Sequence, residues 1–386
     1  MKILFINLPY HGHVTPTIGL VQELIKQGCD VTYLMPYDWE EKIRESGAVF
    51  SGYRGTDNYY LLSEQTKRAY DAAEKIIDSF DLVIYEQFFF LGKHLAEKHG
   101  KPVVRIVTAP VANDALMREY ITAPGPLSIF KYKLISKIYT KDLARGIPLK
   151  TDTWLDEIVH NPPALNLAYT LREYQPYEKE FPEEQYKFLG PSIYERKTGS
   201  FDFVKGEKPV VYISLGTIVK GSTSFFKSCI EAFGNEDIDV IISAGKKFNI
   251  KRLKHIPSNI RIYNFVPQLT VLKMADVFVT HGGMNSVSES LVCGVPMVVI
   301  PFMADQPVNA RCVENIGVGK RLEYKSVNKD TLKAYVLSVL SNAEIKNNLA
   351  KVREYIRSAP GNSGGAKAII DYYETASSNE KPLIEK

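Results

Sequence analysis

The chain has 386 residues, of which 45% are hydrophobic and 24% charged, and its formal net charge is +4 at pH 7. This length exceeds what one ordinary hydrophobic core encloses, so we expect two domains with the composition of a soluble globular protein. The small net charge and the lack of a dense basic block with interleaved aromatic residues argue against a nucleic-acid partner.

The cysteines and the N-terminal segment bear on the cellular compartment. No CxxC spacing occurs among the four cysteines, which are Cys29, Cys229, Cys293 and Cys312. Three of them lie in apolar or helical contexts, which is typical of reduced thiols in a reducing compartment. No apolar segment reaches the length of a membrane span, and Asn7 and Pro9 interrupt the short first apolar run. We therefore expect a cytoplasmic protein.

Predicted strands and helices alternate in two series along the chain. Apolar runs predict the strands of the first series at 2–8, 30–36, 81–86 and 102–108. Helical periodicity predicts helices between them over 16–28 and near 90–99. The strands of the second series are predicted at 209–215, 238–244, 275–280 and 295–301. This alternation predicts parallel sheets that are covered by helices on both faces.

The polar stretch 192–209 has no regular periodicity and separates the two series. We predict one doubly wound α/β domain over 1–195 and a second over 209–360, with a C-terminal helix over 361–376 that packs back toward the first domain. Such domains bind ligands at the carboxyl ends of their strands, and two of them commonly leave a cleft between them.

The segment THGGMNSVSESLVCGVP (280–296) follows one of these strands. The strand is predicted to end at His281, Gly282 and Gly283 to form a turn, and a helix to begin near Asn285. Exposed N–H groups at the positive end of a helix form a site for a phosphate, to which His281, Asn285 and Ser286 can add hydrogen bonds. Taken alone, an ordinary strand–turn–helix with capping residues explains this segment equally well.

A second candidate site lies in LPYHGHVTP (8–16), after the first strand. Its two histidines fit a metal pair, a phosphate-contacting loop or a proton-transfer residue. A zinc site is disfavoured because no third ligand follows at a suitable spacing. The pair Asp237 and Asp239 directly precedes an apolar strand, so we interpret it as part of a solvated loop. No metal site is therefore predicted.

Five segments in order resemble the family 1 glycosyltransferases, the UDP-glycosyltransferases that modify small lipophilic molecules. They are GHVTP (12–16), YISLGT (212–217), NFVPQLTVL (264–272), the segment 280–296 and PFMADQPVNA (301–310). Their order and spacing fit the family over most of the chain. The resemblance implies a GT-B fold, in which two Rossmann-like domains flank a cleft, the first binding the acceptor and the second the sugar donor. It also implies chemistry that needs no metal.

The resemblance assigns donor-binding residues in the second domain. Val266 would offer its backbone to the uracil edge, Gln268 would flank the base, and Phe265 stands where family members often carry Trp. Glu289 would take the ribose hydroxyls. The diphosphate would be held by Thr217, His281, Gly283, Asn285 and Ser286. The sugar would be hydrogen-bonded by Asp305 and Gln306.

The resemblance also assigns the catalytic residues. His13 would be the general base, because an imidazole titrates near physiological pH and suits removal of a hydroxyl proton. Glu86 stands where the family has an Asp that orients this base, so the carboxylate is kept on a longer arm. His11 is the weaker candidate, a wall residue. The implied reaction is an inverting single displacement, in which the helix near Asn285 stabilises the leaving diphosphate.

A basic segment, FKYKLISKIYTKDLAR (130–145), belongs to none of these motifs. In a helix its Lys133, Lys137, Lys141 and Arg145 would form one stripe. A solvated face is the favoured interpretation, and a peripheral membrane contact is the alternative.

We therefore predict a UDP-sugar-dependent O-glycosyltransferase that transfers a sugar, with glucose preferred, to a hydrophobic small molecule such as a macrolide, polyketide or phenolic. The UDP-sugar is a co-substrate, and no other cofactor is expected. Alternatives are a transferase acting on a membrane lipid and a sugar-nucleotide epimerase or hydrolase. A non-catalytic binding protein is disfavoured because His13 and Glu86 are both present.

Overall fold

The chain folds into two units. The first comprises Met1–Tyr194 and Ala359–Lys386, and the second comprises Glu195–Ser358. Each unit is built on one parallel sheet. The computed structural model describes residues 1–56, 62–121, 134, 136–138, 140–141, 143, 147–194, 201–216 and 223–379.

The sheet of the first unit has seven strands. They are β1 (Lys2–Ile6), β2 (Asp30–Pro36), β3 (Val49–Tyr53), β4 (Leu82–Glu86), β5 (Val103–Val107), β6 (Leu165–Ala168) and β7 (Tyr186–Phe188). Their order is β3-β2-β1-β4-β5-β6-β7, and all neighbours are parallel. Apolar runs without alternation are buried on both faces, and every residue of β4 and β5 is buried.

Helices of the first unit connect these strands. They are α1 (His11–Val14), α2 (Ile18–Lys26), α3 (Glu40–Arg44), α4 (Leu62–Glu74), α5 (Gly92–Lys98), α6 (Asp114–Ile121) and α7 (Trp154–His160). The predicted first strand, 2–8, ends at Ile6, and the predicted helix 16–28 is shorter than expected. Between them the chain forms α1 and a 3₁₀ turn, Thr15–Thr17, so the two histidines lie on a short helix.

The sheet of the second unit has six strands. They are β8 (Val210–Ser214), β9 (Asp239–Ser243), β10 (Ile260–Tyr263), β11 (Val277–Thr280), β12 (Met297–Val299) and β13 (Gly319–Arg321). Their order is β10-β9-β8-β11-β12-β13, again with parallel neighbours. The helices are α8 (Thr223–Phe233), α9 (Gln268–Leu272), α10 (Met284–Cys293), α11 (Gln306–Asn315), α12 (Lys329–Leu340) and α13 (Ala343–Ser358).

The last helix, α14 (Gly361–Asn379), belongs to the first unit and packs on α2. Its Ala366 and Ile369 are fully buried in the same core as Ile3 and Phe5 of β1. The contact with α2 is close, because a Cβ at Gly19 would lie 2.2 Å from the Asn362 side chain. In the described part of the chain, no helix is both long and apolar enough to cross a membrane.

Candidate active site

His13 lies on α1, beyond the carboxyl end of β1. The fully buried Asn7 donates from Nδ2 to the His13 carbonyl at 3.1 Å and to the Tyr33 hydroxyl at 3.0 Å. Burial raises the pKa of Tyr33, whose hydroxyl also lies 2.8 Å from that of Thr17. The backbone that carries the histidine is thereby tied to the buried core of the unit.

The His13 ring contacts the carboxylate of Glu86. Its Nδ1 lies 2.9 Å from Oε1 of Glu86, which is fully buried, whereas the histidine side chain is 23% exposed. The second oxygen, Oε2, accepts from the Phe88 backbone N–H at 3.0 Å. A carboxylate at Nδ1 holds the proton there and directs the lone pair to Nε2, which is the arrangement of a general base.

Thr108, which the sequence analysis missed, joins this pair. Its hydroxyl lies 2.8 Å from His13 Nδ1 and donates to Glu86 Oε1 at 2.7 Å. The available signal was its position directly after β5, since the carboxyl ends of neighbouring parallel strands meet at one edge of the sheet.

Aromatic rings line the rest of the His13 imidazole. The ring of Phe88 contacts it edge-on at 4.5 Å between centroids, and the ring of Tyr10 does so at 5.8 Å. His11 is exposed and lies instead against Trp39, at 4.7 Å between centroids. His13 thus combines a contact with the Glu86 carboxylate and contacts with two aromatic rings.

In the second unit, α10 begins at the carboxyl end of β11. Gly283 is its N-cap residue and has no side chain to cap the helix, and the first turn, Met284–Ser286, has no acidic residue. Gly282 has φ +84, and a Cβ there would lie 2.6 Å from Val299, so the turn requires glycine. A helix N-terminus that begins at a glycine and has no acidic residue in its first turn is suited to an anion.

His281 is 7% exposed and packs between two glycines. A Cβ at Gly216 would lie 2.5 Å from its Cε1, and a Cβ at Gly283 would lie 2.6 Å from its Nε2. Burial lowers the pKa of His281 to about 4, so the ring is neutral at physiological pH. Its buried Nδ1 has no hydrogen-bond partner among the described residues. A buried N–H without an acceptor is costly, which favours the tautomer with the proton on Nε2.

Gln268, Ser286 and Glu289 form one polar cluster. Gln268 donates from Nε2 to Glu289 Oε2 at 2.7 Å and to Ser286 Oγ at 3.3 Å. Nearby in sequence, Phe265 is 52% exposed and Val266 is buried. An exposed aromatic ring such as that of Phe265 offers a face on which a base can stack.

Gln306 organises the loop after β12. Its Oε1 accepts from the backbone N–H groups of Phe302 and Met303 at 2.9 and 3.2 Å. Asn309 then links this loop to the glycine turn, because its Nδ2 lies 2.8 Å from both Asp305 Oδ2 and the Gly282 carbonyl oxygen. The side-chain amide oxygen of Gln306 thus already accepts hydrogen bonds within the loop. The hydrogen bond from Gln306 to the sugar stays a prediction.

Two predicted diphosphate contacts differ in what the structure shows. Asn285 is half-buried in the first turn of α10. Thr217 lies outside the described residues.

The basic segment is described only in part, because Lys133 and Arg145 lie outside the described residues. Lys137 of that segment is paired with Asp152 at 2.8 Å.

The carboxylates of the DxD pair are paired with cations. Asp237 lies 2.8 Å from Lys208, and Asp239 lies 3.2 Å from Arg261. Within the described ranges, no group of three or more histidine, cysteine or acidic side chains is placed to hold a metal ion.

Comparison with known proteins shows the class to which this fold and these sites belong. Residues 195–360 match the family described as UDP-glucoronosyl and UDP-glucosyl transferase. NDP-glycosyltransferase YjiC of Bacillus licheniformis is 31% identical over 396 residues, which cover 96% of this chain and 96% of that protein. The chain therefore belongs to the family 1 glycosyltransferases, and it is a UDP-glycosyltransferase enzyme.

Particular relatives extend this assignment. The oleandomycin glycosyltransferase of Streptomyces antibioticus is 25% identical over 400 residues, with 96% of this chain and 90% of that protein covered. The crystal structure of the glycotransferase of kitacinnamycin has a TM-score of 0.81 and 28% identity, covering 96% of this chain and 98% of that one. The predicted family, the predicted enzyme class and the predicted GT-B fold are confirmed.

Proposed function

We propose that this enzyme transfers glucose from UDP-glucose to a hydroxyl of a hydrophobic small molecule, with inversion at the anomeric carbon and without a metal or other cofactor. The observation that carries the proposal is the contact between the half-buried His13 and the fully buried Glu86. The relatives named for oleandomycin and kitacinnamycin support an acceptor of the natural-product type, such as a macrolide, polyketide or phenolic.

In the proposed reaction, Nε2 of His13 accepts the proton of the acceptor hydroxyl as its oxygen attacks the anomeric carbon. The bond from that carbon to the diphosphate breaks, and UDP leaves with the electron pair. Glu86 stabilises the imidazolium that forms, and the N-terminus of α10 stabilises the charge on the diphosphate. Preorganised N–H donors at a helix end supply the stabilisation of the leaving-group charge that a metal ion supplies in other transferases.

The donor-binding roles form part of the proposal. His281 donates from Nε2 to the diphosphate, Glu289 accepts from the ribose hydroxyls, and Phe265 stacks on the uracil. Because Gln268 already contacts Glu289, ribose binding exchanges that hydrogen bond for two to the sugar.

The test is a panel of macrolide, polyketide and phenolic acceptors incubated with UDP-glucose and scored by product mass. We expect a mass increase of one hexose for at least one acceptor. Release of UDP that proceeds equally well without any acceptor, with no glycosylated product, would instead identify a hydrolase or epimerase. Turnover with TDP-glucose but not UDP-glucose would contradict the proposed donor.

Replacing Glu289 with alanine should weaken UDP binding by roughly tenfold or more, because a hydrogen bond to a charged group is lost on the ribose. Isothermal titration calorimetry measures the effect. Glu344→Ala, an exposed acidic residue at the start of α13, is the matched control and should bind UDP as the wild type does. Equal affinities for both variants would remove Glu289 from the donor site.

Chelation by EDTA should leave most of the transfer activity in place, because the helix N-terminus takes the role of a cation. Activity is measured before and after dialysis against the chelator. Its loss, with recovery on adding magnesium or manganese, would contradict the proposal and direct attention to Asp237 and Asp239.

A further inference from the structure

We propose that Thr108 is a positioning residue for the general base, and that its hydroxyl closes a three-membered hydrogen-bond ring with His13 and Glu86. The catalytic meaning of this inference rests on the proposed function. The hydrogen-bond ring of Thr108, His13 and Glu86 does not rest on that function, since it can be tested on the protein without donor or acceptor.

The three distances permit one arrangement of protons when Glu86 is ionised. Thr108 donates its hydroxyl proton to Glu86 Oε1 at 2.7 Å. Its oxygen then presents a lone pair to His13 Nδ1 at 2.8 Å, and the same nitrogen lies 2.9 Å from the carboxylate oxygen. Nδ1 must therefore carry a proton, because two acceptors without a proton between them would repel it. The neutral ring is thus held as the tautomer whose lone pair is on Nε2.

This geometry excludes a nucleophilic role for Thr108. In a triad of hydroxyl, histidine and carboxylate, the hydroxyl binds one ring nitrogen and the carboxylate binds the other. Here the Thr108 hydroxyl and Glu86 share the same nitrogen, so the threonine has no route for passing its proton through the ring. Its side chain, 4% exposed, also has little access to a substrate.

The length of the glutamate arm explains why such a residue is useful. Glu86 has one more rotatable bond than an aspartate, and ordering that bond costs conformational entropy. Both of its oxygens are held: Oε1 by the Thr108 hydroxyl and Oε2 by the Phe88 N–H at 3.0 Å. Parallel pairing of β4 with β5, with Glu86 opposite Ile106, brings Thr108 to the carboxylate.

Thr108→Val keeps the shape of the side chain and removes the hydroxyl. Glu86 Oε1 then loses one donor and concentrates its charge on the Nδ1 proton, which stabilises the imidazolium. The variant also removes the hydroxyl lone pair from that proton, but a neutral oxygen stabilises a cation less than a carboxylate does, so the effect through Glu86 is the larger. The pKa of His13 should therefore rise, by about 0.5 to 1. Thr108→Ser keeps the hydroxyl and should leave the titration close to that of the wild type.

The experiment is an NMR titration of histidine-labelled protein, in which the His13 signal is assigned by its loss in His13→Ala. Thr66→Val is the matched control, because Thr66 is a fully buried threonine of the same unit whose hydroxyl has no partner among the described residues. Thr108→Ala replaces the valine variant if that protein does not fold. An unchanged titration in the variant without the hydroxyl, or the same rise in Thr108→Ser, would overturn the inference.

Transfer rates give the second readout. Thr108→Val should lose about tenfold in kcat on a weakly acidic phenol such as 4-methylphenol, because a less ordered Glu86 no longer fixes the orientation of the imidazole. The loss should be smaller on 4-nitrophenol, which ionises readily and depends less on a base. Equal losses on both phenols would contradict a role through His13. If the titration shifts as expected but no acceptor is glycosylated, the hydrogen-bond ring stands and the proposed function fails.

Discussion

His13→Ala is expected to lower transfer to an alcohol acceptor by about 10²- to 10⁴-fold, the usual contribution of a general base. Binding of UDP should be retained, because His13 belongs to the first unit and the proposed donor-binding residues belong to the second. Steady-state rates with an alcohol acceptor, together with calorimetry of UDP binding, measure the two effects separately.

Two further variants give rate losses with which that of His13→Ala can be compared. His11→Ala should cost much less, since that ring is exposed and lies against Trp39, which gives it the role of a wall residue. Glu86→Gln should fall between the two, because it keeps the shape and removes the charge that stabilises the imidazolium. For an acceptor that is already ionised, His13→Ala should lower the rate of transfer by a smaller factor. A ranking in which His11 is essential and His13 dispensable would identify His11 as the base instead.

Gly283→Ala is expected to weaken UDP binding by roughly 10²-fold. The backbone there, φ −62 and ψ 139, is allowed for alanine, so the effect is one of space alone. The new Cβ would lie 2.6 Å from Nε2 of His281, which must move. Its donated hydrogen bond is then lost, and the methyl group also obstructs the N-terminus of α10. Calorimetry with UDP measures the change.

Gly206→Ala is the control for this prediction, because it is in the same unit and a Cβ there meets nothing within 4 Å. It should bind UDP like the wild type. Thermal unfolding of both variants checks that each is folded. If Gly283→Ala binds UDP with wild-type affinity while folded, the donor diphosphate does not sit at this helix end.

The parts of the fold that follow from local pattern were predictable from the sequence. Continuous apolar runs indicated the strands, and the strand-end positions of His13 and His281 indicated the two candidate sites. The contact between His13 and Glu86, 73 residues apart, followed from the family resemblance rather than from spacing.

Other features depend on tertiary contacts that no local pattern specifies. Thr108 is an ordinary residue after a strand until strand pairing brings it to Glu86, 22 residues away. The short helix α1 replaces a strand end because the N–H groups of His13 and Val14 turn back to the Tyr10 carbonyl oxygen. Gln306 has the residue type expected to hydrogen-bond a sugar, yet its side-chain amide oxygen accepts a hydrogen bond from a backbone N–H of its own loop.

The position of α14 has a consequence for how the protein is made and recombined. The chain leaves the first unit after Tyr194 and returns to it at Ala359, so that unit is discontinuous in sequence. During synthesis its core stays incomplete until Ala366 and Ile369 emerge from the ribosome, by which time the second unit is already translated. A chimera that exchanges the second unit must therefore graft an internal segment, 195–358, and leave the segments on both sides of it with the first unit.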